Sequence, residues 1–354
     1  LSTRVLLTGG LGFIASHAVE HWLKNTDWEI VVIDSLRHAG RIERLTDIEE
    51  YDPDRVTVHW HDLNVQFTPL TLSRMGDFDY IVNMAADSHV DRSIVNPGPF
   101  IRNNVNLATT MLDYARFAEP EKFIQIGTDE IFGPAPAGVS HKEDDPLRPS
   151  NPYSASKAAQ EQIAFAYWRT YDVPVILTRT MNNVGERQDT EKYVPMVMKK
   201  VLNGETVEVH GKPHPAEMKS LEDEGYTDIT HWEIGSRVWL HARNHADALM
   251  WILQNDEPSM YMDGDYSDHP NWWNIAGDEE LSNLEIAQEI AGYIGKPLKY
   301  EMVDFHSSRP GHDLRYSLDG SRLRNAGWAP PMDIHESLKQ IVEWTMNNLE
   351  WLDG

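Results

Sequence analysis

Gly127-Thr128-Asp129-Glu130 sets a hydroxyl and two adjacent carboxylates directly after Phe123-Ile124-Gln125-Ile126, a short apolar run that reads as a buried strand. Ligands of an open parallel sheet sit beyond the carboxyl ends of its strands, so these three side chains would stand at the rim of a pocket. Asn151-Pro152 then opens a helix in which Tyr153 and Lys157, four residues apart, share a face. An ammonium beside a phenol favours the phenolate, which makes a base near neutral pH out of a group that titrates near ~10 by itself. A threonine, an acid pair and an activated tyrosine around one pocket point to oxidation–reduction combined with proton transfer. Either half alone is ordinary: Tyr-x-x-x-Lys is common on helix surfaces, and Asp-Glu is common in solvated loops. The elements around them carry the distinction.

Val5–Thr8 reads as a first strand, Gly9-Gly10-Leu11-Gly12 as a tight turn, and the residues from Phe13 and Ile14 to Asn25 as a helix. Gly9 and Gly12 let the backbone approach a pyrophosphate that rests on the helix N-terminus, and Ala15 is small enough for close helix–sheet packing. The second strand, Glu29–Asp34, ends on an acid 22 residues past Gly12, the place of a carboxylate that binds the adenosine ribose. NAD is thereby favoured over NADP, although Arg37 and Arg41 follow closely. The third strand, Val56–Trp60, leads to Asp62 and Leu63 beside the adenine, and the fourth, Tyr80–Asn83, leads to small residues around Ala85 that let a cofactor pass. His59-x-His61 lacks a third ligand nearby, so no metal is expected. Pro99–Phe117 and Tyr153–Tyr171 read as long helices, with strands at Lys122–Gly127 and Val173–Thr178. Strand and helix alternate, which predicts an α/β fold with a doubly wound parallel sheet of the Rossmann type. The dinucleotide domain is expected over residues 1–180 and a smaller α/β substrate domain over 181–354, with about 237–256 returning to the first. In the second part, strands are predicted at Thr206–His210, Asn271–Ile275 and Leu298–Val303, and helices at Lys192–Leu202, Asn244–Gln254, Asn283–Ile294 and Ile334–Leu352.

The 354 residues suffice for a substantial core, and 41% hydrophobic with 25% charged residues is an ordinary globular balance. The formal net charge of −25 argues against nucleic acid or an anionic membrane as the main partner. It does not exclude an anionic small ligand held by backbone amides and a few arginines. The absence of cysteine rules out thiolate catalysis and disulfides. No apolar run approaches a membrane span and no export signal is visible, so a cytoplasmic protein is expected.

With these residues in view, the chain resembles the extended short-chain dehydrogenase/reductase family, and within it the nucleotide-sugar 4,6-dehydratases, those acting on dTDP-glucose above all. The likeness runs through Thr8–Ile14, Ala85–Ile94, Thr128–Glu130, Pro152–Lys157, Asn182-Asn183, Arg237–Leu240, Asn274–Gly277 and Arg309–Asp313. Asp129 beside Glu130 is its most discriminating feature, since related epimerases and decarboxylases usually carry a small residue there. The resemblance implies that Tyr153, held as phenolate by Lys157, takes the proton of the sugar 4-hydroxyl while C4 gives hydride to NAD and Thr128 binds that oxygen. Glu130 would then remove the C5 proton, protonated Asp129 would assist departure of the C6 hydroxyl, and hydride return to C6 would leave a 4-keto-6-deoxy sugar. It further implies that Asp87 and Ser88, with Asn182 or Asn183, Lys192, Arg237, Asn274 and Arg309, hold the nucleotide sugar. A homodimer through a four-helix bundle of the two long helices is also implied. Rival readings on the same scaffold are a UDP-glucuronate decarboxylase, a 4-epimerase, and a non-catalytic NAD-binding protein. The family usually has Glu at Asp87, His at Asn83 and Tyr at Phe132, and only a few residues where Lys212–Ser236 stands here. That polar stretch is expected to be a surface excursion, with a flap beside the nucleotide as its functional alternative.

Overall fold

Strand Arg4–Thr8 shows how the protein is layered. Val5 and Leu7 enter one helix layer and Leu6 the other, all fully buried, as the two-residue period of a strand covered on both faces requires. The computed structural model describes residues 2–37, 39–213, 231–258, 268–305 and 313–353. Its main sheet has seven strands in the order Asn271–Ile275, Val175–Thr180, Lys122–Thr128, Tyr80–Asn83, Arg4–Thr8, Glu29–Asp34 and Val56–Trp60. All are parallel. This is the doubly wound, Rossmann-type α/β fold. The order reverses between Arg4–Thr8 and Tyr80–Asn83, where sheets of this kind bind their ligands. Helices Phe13–Asn25 and Ala242–Asn255 cover one face, joined by Trp22 Nε1 donating to Ala246 O at 3.3 Å. Pro97–Ala118 and Pro152–Tyr171 cover the other. Among the described residues, no helix is long and apolar enough to cross a membrane.

Residue 180 does not divide the chain cleanly. Asn271–Ile275 pairs with Val175–Thr180 as the edge of the main sheet, and Leu323 and Trp328 join the core beneath it. A separate core forms around helices Tyr193–Asn203, Asn283–Ile294 and Ile334–Asn347. The strand expected to stop at His210 runs over Thr206–Pro213 and pairs antiparallel with Trp232–Ile234, Lys212 facing Glu233 and Pro213 facing Trp232. The arms of the Lys212–Ser236 stretch therefore form a β-ladder; residues 214–230 lie outside those described. The closing helix ends at Asn347, and Leu349–Leu352 follows as a separate turn of 3₁₀-helix.

Candidate active site

Strand Lys122–Thr128 is buried along its whole length and delivers Thr128 to the sheet's carboxyl edge, where Asp129–Phe132 turns as a 3₁₀-helix. Thr128 Oγ1 donates to Asp129 Oδ1 at 2.9 Å and accepts from the Glu130 N–H at 3.4 Å. Asp129 is 4% exposed and its Oδ2 has no hydrogen-bond partner, a cost that a bound group would relieve. Glu130 Oε2 accepts from Asn151 Nδ2 at 3.3 Å and from the Tyr316 hydroxyl at 3.5 Å. Burial raises Asp129 to about 6. Burial first, and then the Asp129 charge, raise Glu130 to about 7. The two carboxyls are raised together, so the pair holds a proton near neutrality. Asp129 and Asp313 add to burial at Glu130, while Arg237 eases both carboxyls, with the Thr128 hydroxyl helping Asp129 and Asn151 helping Glu130.

Helix Pro152–Tyr171 starts in a capping box: Asn151 Oδ1 accepts from Ser154 N, and Ser154 Oγ accepts from Asn151 N. That cap fixes where Tyr153 and Lys157 emerge. Tyr153 hydrogen-bonds Thr128, and its phenol is pushed well above the usual tyrosine range by burial and then by Glu130. Lys157 Nζ donates to Ile126 O and to Gln160 Oε1, both at 2.7 Å. Two of the ammonium's three donors are thus used within the chain, and Glu130, Thr128 and Asp129 stand around the Tyr153 phenol. Burial lowers Lys157 to about 8.

The first turn is shaped for a dinucleotide. Gly9 has φ +72°, and a Cβ on it would stand 3.0 Å from Ala85 Cα, so the turn and the small-residue stretch close on each other. Gly12 caps helix Phe13–Asn25 without a side chain, leaving the amides of the first turn, those of Phe13 and Ile14 among them, for an anion. Asp34 reaches back to this turn, its Oδ2 accepting from Leu11 N at 3.0 Å and its Oδ1 from Leu36 N at 2.8 Å. Asp62 accepts from Asn64 and stands 3.8 Å from Arg37, beside buried Leu63. These residues fit a nicotinamide dinucleotide.

The residues expected to hold the sugar nucleotide divide. Asp87 is fixed by Asn103 Nδ2 on Oδ2 and by two bonds between its backbone and Asn104. Ser88 and Asn182 are exposed. Lys192 caps helix Tyr193–Asn203, 3.9 Å from Glu191. Arg237 lies over the Tyr316 ring and donates to the carbonyls of Ser236, Asp313 and Leu314. It is thus no surface arginine: its charge acts on both carboxylates of the acid pair. Asn183 and Asn274 are internal braces. Asn183 Nδ2 donates to Thr180 Oγ1 and Met181 O, and Asn274 Nδ2 to His141 O and Asp319 O. Arg309 lies outside the described residues. Sequence reasoning missed Tyr316, which nothing in Arg315-Tyr316-Ser317 marks, and it took Asn151 only as the opener of a helix.

The family model described as GDP-mannose 4,6 dehydratase matches residues 6–341. The low-salt glycan biosynthesis protein Agl12 of Haloferax volcanii is 34% identical over 348 residues, covering 98% of this chain and 99% of that protein. The dTDP-glucose 4,6-dehydratase of Salmonella typhimurium is 31% identical over 375 residues, covering 99% and 95%. Among solved structures, DesIV, the dTDP-glucose 4,6-dehydratase of Streptomyces venezuelae with NAD and TYD bound, superposes with a TM-score of 0.81 at 32% identity, covering 99% and 98%. A glycine turn, a Tyr–Lys helix and an acid pair on one sheet edge thus stand within a likeness that spans almost the whole chain, which belongs to the nucleotide-sugar 4,6-dehydratases of the extended short-chain dehydrogenase/reductase family.

Proposed function

We propose that the protein converts dTDP-glucose to its 4-keto-6-deoxy product, with NAD as resident cofactor. One observation carries the reading: buried Asp129 and half-buried Glu130 stand side by side against Tyr153, both carboxyls are raised by their surroundings, and Asp129 keeps an unpartnered oxygen. A redox step alone needs Tyr153 and Lys157; an adjacent acid and base are what an elimination adds. The Gly9–Gly12 turn, Ile14, Asp34, Ala85 and Lys157 would hold the cofactor. Bound there, NAD would supply the hydride acceptor for C4 and, once reduced, the hydride donor for C6. Thr128 hydrogen-bonds the 4-oxygen and Tyr153 accepts its proton. Glu130 removes the C5 proton, Asp129 protonates the C6 hydroxyl, water leaves, and Glu130 returns its proton to C5 as C6 receives hydride. The relatives named above support the thymidine nucleotide.

Incubation of the protein with dTDP-, UDP-, GDP- and CDP-glucose, without added reductant, tests this by NMR of the products. A 4-keto-6-deoxy sugar from dTDP-glucose is expected. Conversion of another nucleotide alone refutes the thymidine assignment, and conversion of none refutes the dehydratase reading. We also infer a homodimer through Pro97–Ala118 and Pro152–Tyr171, supported by the exposed Phe117 and Tyr171 and the half-buried Val105 and Ile163 on these helices. A solution mass near the 40.5 kDa of one chain would refute it.

A further inference from the structure

Three neighbouring strands of the main sheet carry a polar row where apolar side chains would be ordinary. Thr8 is opposite Asn83, and Asn83 is opposite Gln125, in direct register. All three lie on the same face as Leu6, Ile81 and Phe123, the face covered by helix Pro152–Tyr171. Thr8 Oγ1 donates to Asn83 Oδ1 at 2.8 Å and accepts from the backbone amides of Met84 and Ala85, both at 3.0 Å. Asn83 Nδ2 donates to Gln125 Oε1 at 2.8 Å, and Gln125 Nε2 reaches Gln160 Oε1 at 3.5 Å. Gln160 Oε1 in turn accepts from Lys157 Nζ at 2.7 Å, while Gln160 Nε2 is anchored on Asn104 O at 2.6 Å. Thr8, Asn83, Gln125 and Gln160 are each no more than 1% exposed.

We infer that Gln160 is a positioning residue for Lys157, held in place by the Thr8–Asn83–Gln125 row that runs under the glycine turn, so that the lysine's third donor stays aimed at the cofactor. Buried polar chains of this kind survive only when each member is satisfied, and here each hydrogen bond fixes the amide orientation of the next. Both acceptors of Lys157 are neutral, so they hold its direction without neutralising its charge. Glu161 is the charged group acting on Lys157, and it is itself paired with Arg179. From the adjoining strand end, Asp129 and Glu130 face Tyr153. A carbonyl acceptor favours the ammonium against the burial that lowers Lys157 to about 8.

The inference rests on the reading of Lys157 as a cofactor-holding group, and its test reads cofactor binding and not only turnover. NAD affinity of the full chain is titrated by tryptophan fluorescence from pH 6 to pH 10, with thermal stability measured alongside. Gln160→Met keeps the shape and removes the acceptor; the alkaline loss of affinity should move down by about one pH unit, close to tenfold in affinity on that limb. Gln160→Glu keeps the acceptor and adds a charge, and should move the limb up. Gln125→Leu should act in the direction of Gln160→Met, by less. A limb unchanged in both Gln160 variants, with only a lower Tm, would overturn the inference and leave Gln160 a packing residue. If the limb shifts as described while the unaltered protein turns over no nucleotide sugar, the positioning role stands and the dehydratase reading falls.

Discussion

Asp129 and Glu130 are more than two carboxylates at a strand end, because burial makes each sensitive to its neighbour. Glu130 sits at about 7 through burial and then through Asp129. Asp129→Asn removes the second cause, so the acid limb of kcat/KM should move to lower pH. It also removes the proton donor for the C6 oxygen, and turnover should fall by about two to four orders of magnitude. A pH–rate profile reads both effects, and a limb that stays in place would show that Asp129 does not set the Glu130 proton. His245 poses a separate problem at this scale. It is 0% exposed, neither ring nitrogen has a hydrogen-bond partner, and burial lowers it from 6.5 to about 3. A histidine depressed in the folded state is protonated first in the unfolded chain, so its effect on stability is absent above pH 6.5 and becomes a loss as pH falls toward 3. His245→Leu removes that proton demand. Relative to the unaltered protein, the variant should gain about 1.4 kcal/mol per pH unit below 6.5, so about 2 kcal/mol between pH 6.5 and pH 5. Urea unfolding at the two pH values measures the difference, and parallel pH dependences would refute it.

The catalytic helix is locked to strand Val175–Thr180, whose Arg179 stands opposite Gly127, one residue before Thr128 on the neighbouring strand. Arg179 forks onto Glu161, with Nε at 2.9 Å and Nη2 at 3.0 Å, and its Nη1 donates to Glu143 O at 2.7 Å. A Cβ on Gly127 would stand 2.6 Å from Glu161 Oε1, so the strand passes this pair only as glycine. The Glu161 and Arg179 side chains are 1% and 3% exposed, and removing one partner leaves a buried charge unanswered. Glu161→Gln should therefore cost about 3–5 kcal/mol, whereas Glu161→Met with Arg179→Met should cost much less than the two single changes added together. Urea unfolding of the four proteins checks this, and simple additivity would show that the pair acts as two independent groups. The contrast explains what was legible in the sequence. Strands such as Glu29–Asp34 and Tyr80–Asn83 were read to the residue because apolar runs between turn residues report burial on both faces. Thr128, Asp129 and Tyr153 were found because each follows a local boundary, a strand end or a helix cap. Tyr316 meets Glu130 across 186 residues and Gln125 meets Gln160 across 35, and no local period encodes such pairings. The ladder from Lys212 and Pro213 to Glu233 and Trp232 was read as a polar excursion for the same reason: charged and proline-bearing arms hide a strand whose partner is antiparallel and distant.

The whole molecule carries a formal charge of −25, and its most protected contacts are not the ones this charge strains. The Glu161–Arg179 fork and the Thr8–Gln160 row are buried and insulated from bulk ions, but the surplus carboxylates lie on the surface and repel one another in the folded shell more than in the expanded chain. Screening contracts from about 10 Å at 0.1 M to about 3 Å at 1 M ionic strength, so added salt relieves this repulsion while leaving the buried pairs intact. The few exposed ion pairs, such as Lys24–Glu20 at 3.0 Å, lose a little in the same range, but pairs of that kind are worth at most about 1 kcal/mol each. The repulsion involves every surplus charge and should dominate. Tm should therefore rise between 0.05 M and 1 M KCl by about 3 °C, a change equivalent to roughly 2 kcal/mol for a chain of 354 residues. Scanning calorimetry across a KCl series measures it. A hydrophobic salting-out effect would follow the anion, sulfate stabilising far more than chloride at equal ionic strength. A charge-screening effect follows ionic strength and saturates once the screening length falls below the spacing of surface carboxylates. A Tm that is flat or falling in KCl would show that the acidic surface is already neutralised within the fold, and that its charge places no load on stability.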